Sequence, residues 1–74
     1  MVTKVERYGE IFFYADAQQT QLVGHIFSYH EGWNTLYQWQ NTITGHIETA
    51  RTEREAMAYC ERDVLMVLSY LGRI

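Results

Sequence analysis

The chain has 74 residues and a formal net charge of −3, and 47% of its residues are hydrophobic, 20% charged and 15% aromatic. This balance is typical of a globular protein and excludes a disordered polar chain. Cys60 is the single cysteine, so an intrachain disulfide is excluded. A domain of this size buries only about 60% of the surface that its unfolded chain exposes. We therefore expect a thin stability margin, which self-association could widen.

Membrane insertion and secretion are not expected from the sequence. No stretch approaches the about 20 apolar residues that a membrane-spanning helix needs. Residues 1–7 are too polar to form the apolar core of a signal peptide. The sequence therefore predicts a soluble protein that resides in the cytoplasm and does not bind a membrane.

Four stretches rich in β-forming residues come first along the chain. Residues 4–14 alternate and predict a first strand, and a polar segment leads from it into a second strand at residues 20–30. Gly24, inside the second strand, indicates a bulge or a close contact. Residues 33–40 alternate cleanly and predict a third strand. Residues 46–50 predict a short fourth strand, which could instead belong to the preceding loop.

A helix is predicted over about residues 53–71. Thr52 and Glu55 fit a capping box at its start, and Gly72 is a natural stop at its end. Apolar residues then recur at spacings of three and four and are expected to pack on the sheet: Met57, Cys60, Val64, Val67 and Leu71. The sequence thus predicts one α+β domain over residues 1–74, with a three- to four-stranded antiparallel sheet and one C-terminal helix packed on one face.

The last two turns of this helix are apolar almost all the way round. One sheet covers only one side of a helix, so Leu65, Met66 and Tyr70 need a second wall. That wall is either the sheet itself, curled around the helix, or another chain. The second alternative predicts a homodimer that associates through these three residues.

Catalytic, metal and cofactor sites are not expected. His25 and His30 are five residues apart in a strand, which sends them to opposite faces. Cys60 lies in the apolar stripe of the helix, where cysteine is most often a core residue. The carboxylates of the helix are interleaved with arginines, as on a solvated helix face. The sequence therefore predicts a binding protein without a cofactor rather than an enzyme.

The aromatic residues and the charge distribution indicate a binding surface. Most aromatic residues fall on the predicted strands, and one helix can cover only one face of the sheet, so an aromatic set should face away from it. That second face is either merely amphipathic or an anchor surface for a partner. From Tyr8 through Ala50 there is no lysine or arginine, which suits a partner protein with a basic surface. The predicted partner-binding residues are Glu10, Tyr29, Glu31, Tyr37 and Trp39, and which face is exposed stays open.

A further pattern consists of Trp33, Gly45, Ile47, Thr49, the helix start Thr52-Glu53-Arg54-Glu55-Ala56, and Tyr59. Together these residues resemble the strand-turn-strand-helix end of AP2-like domains, which include the arm-binding domains of phage-type integrases. In that family the sheet enters the DNA major groove and depends on basic and polar residues along its strands. The corresponding strands here, 33–40 and 46–50, carry no lysine or arginine. A nucleic-acid-binding domain of this kind is therefore the alternative function, and a protein is the expected partner.

The chain as a whole is short, acidic, rich in aromatic residues and poor in cysteine. In these respects, and in its predicted sheet and single helix, it resembles many small phage-encoded inhibitors, including anti-CRISPR proteins. That resemblance implies a phage or mobile-element inhibitor that works in the host cytoplasm. A basic groove of a nucleic-acid-binding protein is a surface that an acidic inhibitor can occupy.

Overall fold

The computed structural model describes residues 2–72. Its elements are the strands β1 (Thr3–Arg7), β2 (Glu10–Tyr14), β3 (Leu22–Glu31), β4 (Asn34–Asn41) and β5 (Ile47–Ala50), followed by the helix α1 (Glu53–Tyr70). The strands form one antiparallel sheet in the order β1-β2-β3-β4-β5, so each pairs with its neighbours along the chain. The predicted α+β class is confirmed, and the sheet has five strands rather than three to four.

The additional strand arises from a tight turn inside the first predicted strand. Arg7 pairs with Glu10, and the two residues between them, Tyr8 and Gly9, have φ angles of 54° and 77°. Two consecutive positive φ angles are those of a type I′ hairpin turn. Tyrosine rarely adopts this conformation, so the turn could not be recognised from its residues. The short fourth strand predicted at residues 46–50 is present as β5.

A second two-residue turn joins β3 to β4. Glu31 pairs with Asn34, and Gly32 and Trp33 form the turn between them. Gly32 has a φ of 62° at the first turn position, as in a type II′ turn. Trp33, predicted as the first residue of a strand, lies instead at the tip of this hairpin.

The helix α1 lies across β3, β4 and β5. It begins after Thr52, whose hydroxyl oxygen accepts a hydrogen bond of 3.1 Å from the backbone N–H of Glu55. The predicted cap at Thr52 is therefore confirmed. Within residues 2–72, no helix is both long enough and apolar enough to cross a membrane.

The buried stripe of α1 differs from the predicted one. The buried residues are spaced by four: Ala56, Cys60, Val64 and Leu68. Residues four apart advance by about 40° around the helix at each step, so this stripe runs obliquely over the sheet. It shares Cys60 and Val64 with the predicted set, whereas Met57 and Val67 lie half-buried beside it. The prediction that Leu71 faces the sheet is wrong, because the stripe ends at Leu68 and Leu71 is exposed.

Close contact between α1 and the sheet requires a glycine in β3. A Cβ atom at Gly24 would lie 2.9 Å from the Sγ of Cys60, 3.2 Å from Phe13 and 3.3 Å from Val64. The first distance is shorter than real Cβ contacts allow, so any side chain here would force the helix or the sheet to shift. The close contact that the sequence indicated at Gly24 is confirmed.

Asn41 is the one buried polar side chain within residues 2–72 and ties the sheet to the helix. Its Nδ2 donates to Oδ2 of Asp63 on α1 at 2.8 Å. Its Oδ1 accepts from the backbone N–H groups of Ile43 and Thr44, at 2.9 and 3.2 Å. These bonds satisfy the buried amide, as burial of a polar group requires. They also fix the turn between β4 and β5 against the C-terminal half of α1.

The substitution Gly24→Ala is expected to lower the free energy of unfolding by about 1–3 kcal/mol, the usual range for adding a methyl group to a closed core. Because Cys60 supplies the nearest atom, the same substitution should be less costly in a Cys60→Ala background. Urea denaturation of the four chains of this double-mutant cycle measures the difference. Equal penalties in the two backgrounds would contradict the contact.

Candidate functional site

The face of the sheet that α1 leaves uncovered is called here the open face. Successive residues of a strand point to opposite faces. Beneath the helix, Gly24 of β3 pairs with Phe13 of β2 on one side and with Asn41 of β4 on the other. Their sequence neighbours therefore point the other way. The open face includes Val5, Glu10, Phe12, His25, Phe27, Tyr29, Glu31, Leu36, Gln38, Gln40, Ile47 and Thr49. Within residues 2–72, no second layer of secondary structure covers it.

A continuous row of rings crosses the open face from β2 along β3. Phe12 stacks on His25, with ring centroids 4.7 Å apart and planes inclined by 17°. The row continues to Phe27 at 5.5 Å from His25 and then to Tyr29 at 6.3 Å from Phe27. These separations lie within the range in which ring pairs attract. Each ring is half-buried by its neighbours within the sheet, and its outer surface faces solvent.

The His25 ring is held in place by a carboxylate. Its Nε2 lies 2.5 Å from Oε1 of Glu10, in position to donate a hydrogen bond. Both side chains remain accessible, with 23% of His25 and 42% of Glu10 exposed. A partner that covers this pair would meet a carboxylate that already contacts an imidazole, in the middle of the aromatic row.

Apart from Arg7, the remainder of the open face is neutral or acidic. Gln38, Gln40 and Thr49 supply uncharged hydrogen-bonding groups, and the Tyr29 hydroxyl lies 3.4 Å from Oγ1 of Thr49. One cation lies on the open face and another at its border, because Arg7 pairs with Glu10 and therefore points to the same side of the sheet. Arg7 donates from Nη2 to Oε1 of Gln19 at 2.7 Å, and Arg51 follows the end of β5. Neither cation interrupts the aromatic row.

The five predicted partner-binding residues do not form one surface. Glu10, Tyr29 and Glu31 lie on the open face, whereas Tyr37 and Trp39 point towards α1. Trp39 is only 4% exposed and belongs to the core, and Tyr37 packs against that core. The prediction from the alternating pattern that Tyr37 and Trp39 share one face of the strand is confirmed. The opposite face of β4 carries the amides of Gln38 and Gln40, which a closed core would leave unsatisfied, so the helix covers the tryptophan face.

Three residues of the aromatic row were missing from the predicted site: Phe12, His25 and Phe27. A signal was available, because residues 25, 27 and 29 share one face of a strand by their spacing of two. The prediction that His25 and His30 point to opposite faces is confirmed by the β3–β4 register, in which His30 pairs with Thr35 on the helix side.

The predicted self-association residues are also divided. Met66 and Tyr70 are 60% and 91% exposed and border an apolar groove of about 450 Å³. The other residues of this groove come from the end of α1 and the β4–β5 turn: Ile43, Thr44, Val67 and Leu71. Leu65 does not line the groove and lies half-buried on the opposite flank of α1 from Val67. The sheet does not curl around the helix end, so this groove stays open to solvent.

Cys60 is fully buried, and its burial raises the pKa of the thiol to about 11, so the group is protonated at neutral pH and out of reach of a substrate. Within residues 2–72, no group of three or more His, Cys, Asp or Glu side chains is placed to hold a metal ion. Comparisons with protein families, with curated proteins and with solved structures found no match. Function is therefore inferred from the surface itself.

Proposed function

We propose that this chain is a non-enzymatic protein-binding module that docks the open face of its sheet on a basic surface of a partner protein. The observation that carries the proposal is the aromatic row Phe12, His25, Phe27 and Tyr29, which packs on itself and on no second layer. Aromatic side chains bring large contact area with few rotatable bonds, and they are prominent among the residues that dominate binding energy.

Charge supports a basic partner. Glu10 and Glu31 lie on the open face, and no lysine or arginine occurs in the chain from Tyr8 through Ala50. Such a surface repels phosphate and attracts cationic side chains. Complementary charge chiefly accelerates association and selects the partner, while the aromatic contacts retain it.

Proteins that bind nucleic acids combine basic grooves with exposed backbone amides, and an acidic aromatic surface can fill such a groove. We therefore propose the partner to be a nucleic-acid-binding protein, and the chain to be a phage or mobile-element inhibitor of the anti-CRISPR type that acts in the host cytoplasm. The small size, the acidity and the single uncovered face support this assignment.

A second candidate function is single-stranded nucleic-acid binding, which the aromatic row itself favours. Bases stack on aromatic rings with about 1–3 kcal/mol per base. Phosphate contacts supply most of the non-specific affinity, however, and they need cations. Arg7, the cation beside the row, is hydrogen-bonded to Gln19. The open face therefore fits a protein partner better than a nucleic acid.

The substitution Tyr29→Ala is expected to abolish capture of a basic protein from nuclease-treated host lysate, because it removes the half-buried ring that ends the row. Tyr59→Ala is the matched control, since Tyr59 is an exposed tyrosine on the opposite, helical side of the molecule. Affinity capture followed by mass spectrometry measures the result. Equal loss with both variants would contradict docking through the open face.

The same experiment separates the two candidate functions. Capture that disappears after nuclease treatment would indicate a nucleic-acid bridge rather than a protein contact. Submicromolar binding to a mixed-sequence oligonucleotide at about 150 mM salt, where screening is physiological, would replace the proposal with nucleic-acid binding. We expect neither result.

We also propose that the apolar groove at the end of α1 is a homodimer interface, because Met66 and Tyr70 expose large apolar surface beside Ile43 and Leu71. Sedimentation at micromolar concentration is expected to give a dimer mass, and Met66→Glu a folded monomer. Ser69→Glu, at a neighbouring exposed polar position of α1, should leave the dimer intact. A monomer mass for the unmodified chain would contradict this interface.

A further inference from the structure

The hairpin of β3 and β4 extends beyond the rest of the sheet. Pairing of β2 with β3 ends at Ile26, and pairing of β5 with β4 ends at Tyr37. Residues 29–36 therefore form a two-stranded arm that no third strand supports. With a rise of about 3.4 Å per residue, the arm reaches roughly 10 Å past the last β5 pair and roughly 17 Å past the last β2 pair. The molecule is correspondingly elongated, at 42 × 22 × 18 Å.

Trp33 lies at the tip of this arm and is fully exposed. It touches none of the core, so it adds no hydrophobic stabilisation to the fold, in contrast to Trp39, which is buried. The positive φ of Gly32 defines the turn that presents the ring. A tryptophan held outside the molecule on a defined turn is a large apolar surface available to a partner.

The arm continues the aromatic row of the open face. Tyr29, the last ring of the row, pairs with Leu36 across the arm, and Trp33 lies between them in sequence at the turn. A partner that covers Phe27 and Tyr29 would therefore also contact the arm, at the edge of the interface. Trp33 at the tip would then extend beyond the contact between the open face and the partner, where its side chain could enter a pocket.

The charge near Trp33 indicates which side chains of a partner would lie around this tryptophan. Glu31 precedes the turn, and within residues 2–72 the ion pairs closer than 4.0 Å are His25–Glu10 and His46–Glu48, so Glu31 has no cationic partner at that distance. The carboxylate repels anionic lipid headgroups and phosphates. It favours a rim of lysine or arginine side chains.

We propose that Trp33 is the anchor residue of the interface and enters an apolar pocket of the partner protein that has cationic side chains at its rim. This inference rests on the protein-binding function proposed above and names the feature of the partner that the arm recognises. Hot-spot tryptophans typically bind in such desolvated pockets, surrounded by weaker contacts that exclude water.

The test compares dissociation constants for the protein captured in the nuclease-resistant experiment, purified and titrated with each variant. Trp33→Ala is expected to weaken binding by at least about 30-fold, as for a hot-spot residue. Tyr8→Ala is the matched control, because Tyr8 is equally exposed in the neighbouring two-residue turn, and it should change affinity less than about threefold. Glu31→Lys should weaken binding about tenfold, with a larger effect at low salt.

The outcomes separate this inference from the proposed function. If Trp33→Ala binds within about threefold of the unmodified chain while Tyr29→Ala loses binding, the anchor is overturned and the protein-binding function stands. If both variants bind normally, or if no nuclease-resistant partner is captured, both proposals are overturned. Unchanged affinity of Glu31→Lys would overturn the cationic rim.

Tryptophan fluorescence tests two other occupants of the tip, with Trp33→Phe to isolate the signal of Trp33. Adding phosphatidylcholine–phosphatidylglycerol vesicles, or raising the concentration of the chain alone, is expected to leave the emission of Trp33 unchanged. A blue shift with vesicles would assign the tip to a membrane, and a blue shift with protein concentration would assign it to a second copy of the chain. Either result would overturn the pocket.

Discussion

Gly24 sets the distance between α1 and the sheet, because the absence of a Cβ atom lets Cys60 and Val64 lie directly on the backbone of β3. Without that contact the buried stripe of the helix would stand away from the strands and lose the dispersion contacts that a closed core provides. The Asn41–Asp63 hydrogen bond then fixes the position of the helix along β4. Together these two interactions close one face of the sheet.

Because α1 closes one face of the sheet, the side chains of the open face have no second layer to pack against. Residues 2–72 contain a single helix, so the open face must satisfy its side chains within one layer. The rings of Phe12, His25, Phe27 and Tyr29 do so by packing in a row, and Glu10 fixes the imidazole in the middle of it. The result is a surface that is ordered by its own contacts before any partner arrives. Such preorganisation reduces the entropy cost of binding.

Local features of the fold could be predicted from the sequence because local physics decides them. Thr52 caps the helix, and the alternation in β4 separates Trp39 from Gln38. The turn at Tyr8 could not be predicted, since a tyrosine with positive φ carries no recognisable signal and the alternating pattern runs through it. The face that α1 covers was also beyond local reasoning. It depends on contacts between residues far apart in sequence, such as Gly24 with Cys60.

The same reason explains the partial prediction of the site. Tyr29 and Trp39 are both aromatic strand residues, and only the position of the helix makes one of them a surface residue and the other a core residue. At the end of α1, apolar residues on all sides left Leu65 and Met66 equivalent in sequence, although they lie on different flanks of the helix.

Hydroxyl-radical footprinting of the free chain and of its complex with the captured protein tests the central claim most directly. The account predicts that oxidation of Phe12, Phe27 and Tyr29 falls severalfold in the complex while that of Tyr59 is unchanged. Protection of Tyr59 with unchanged oxidation of the aromatic row would contradict it.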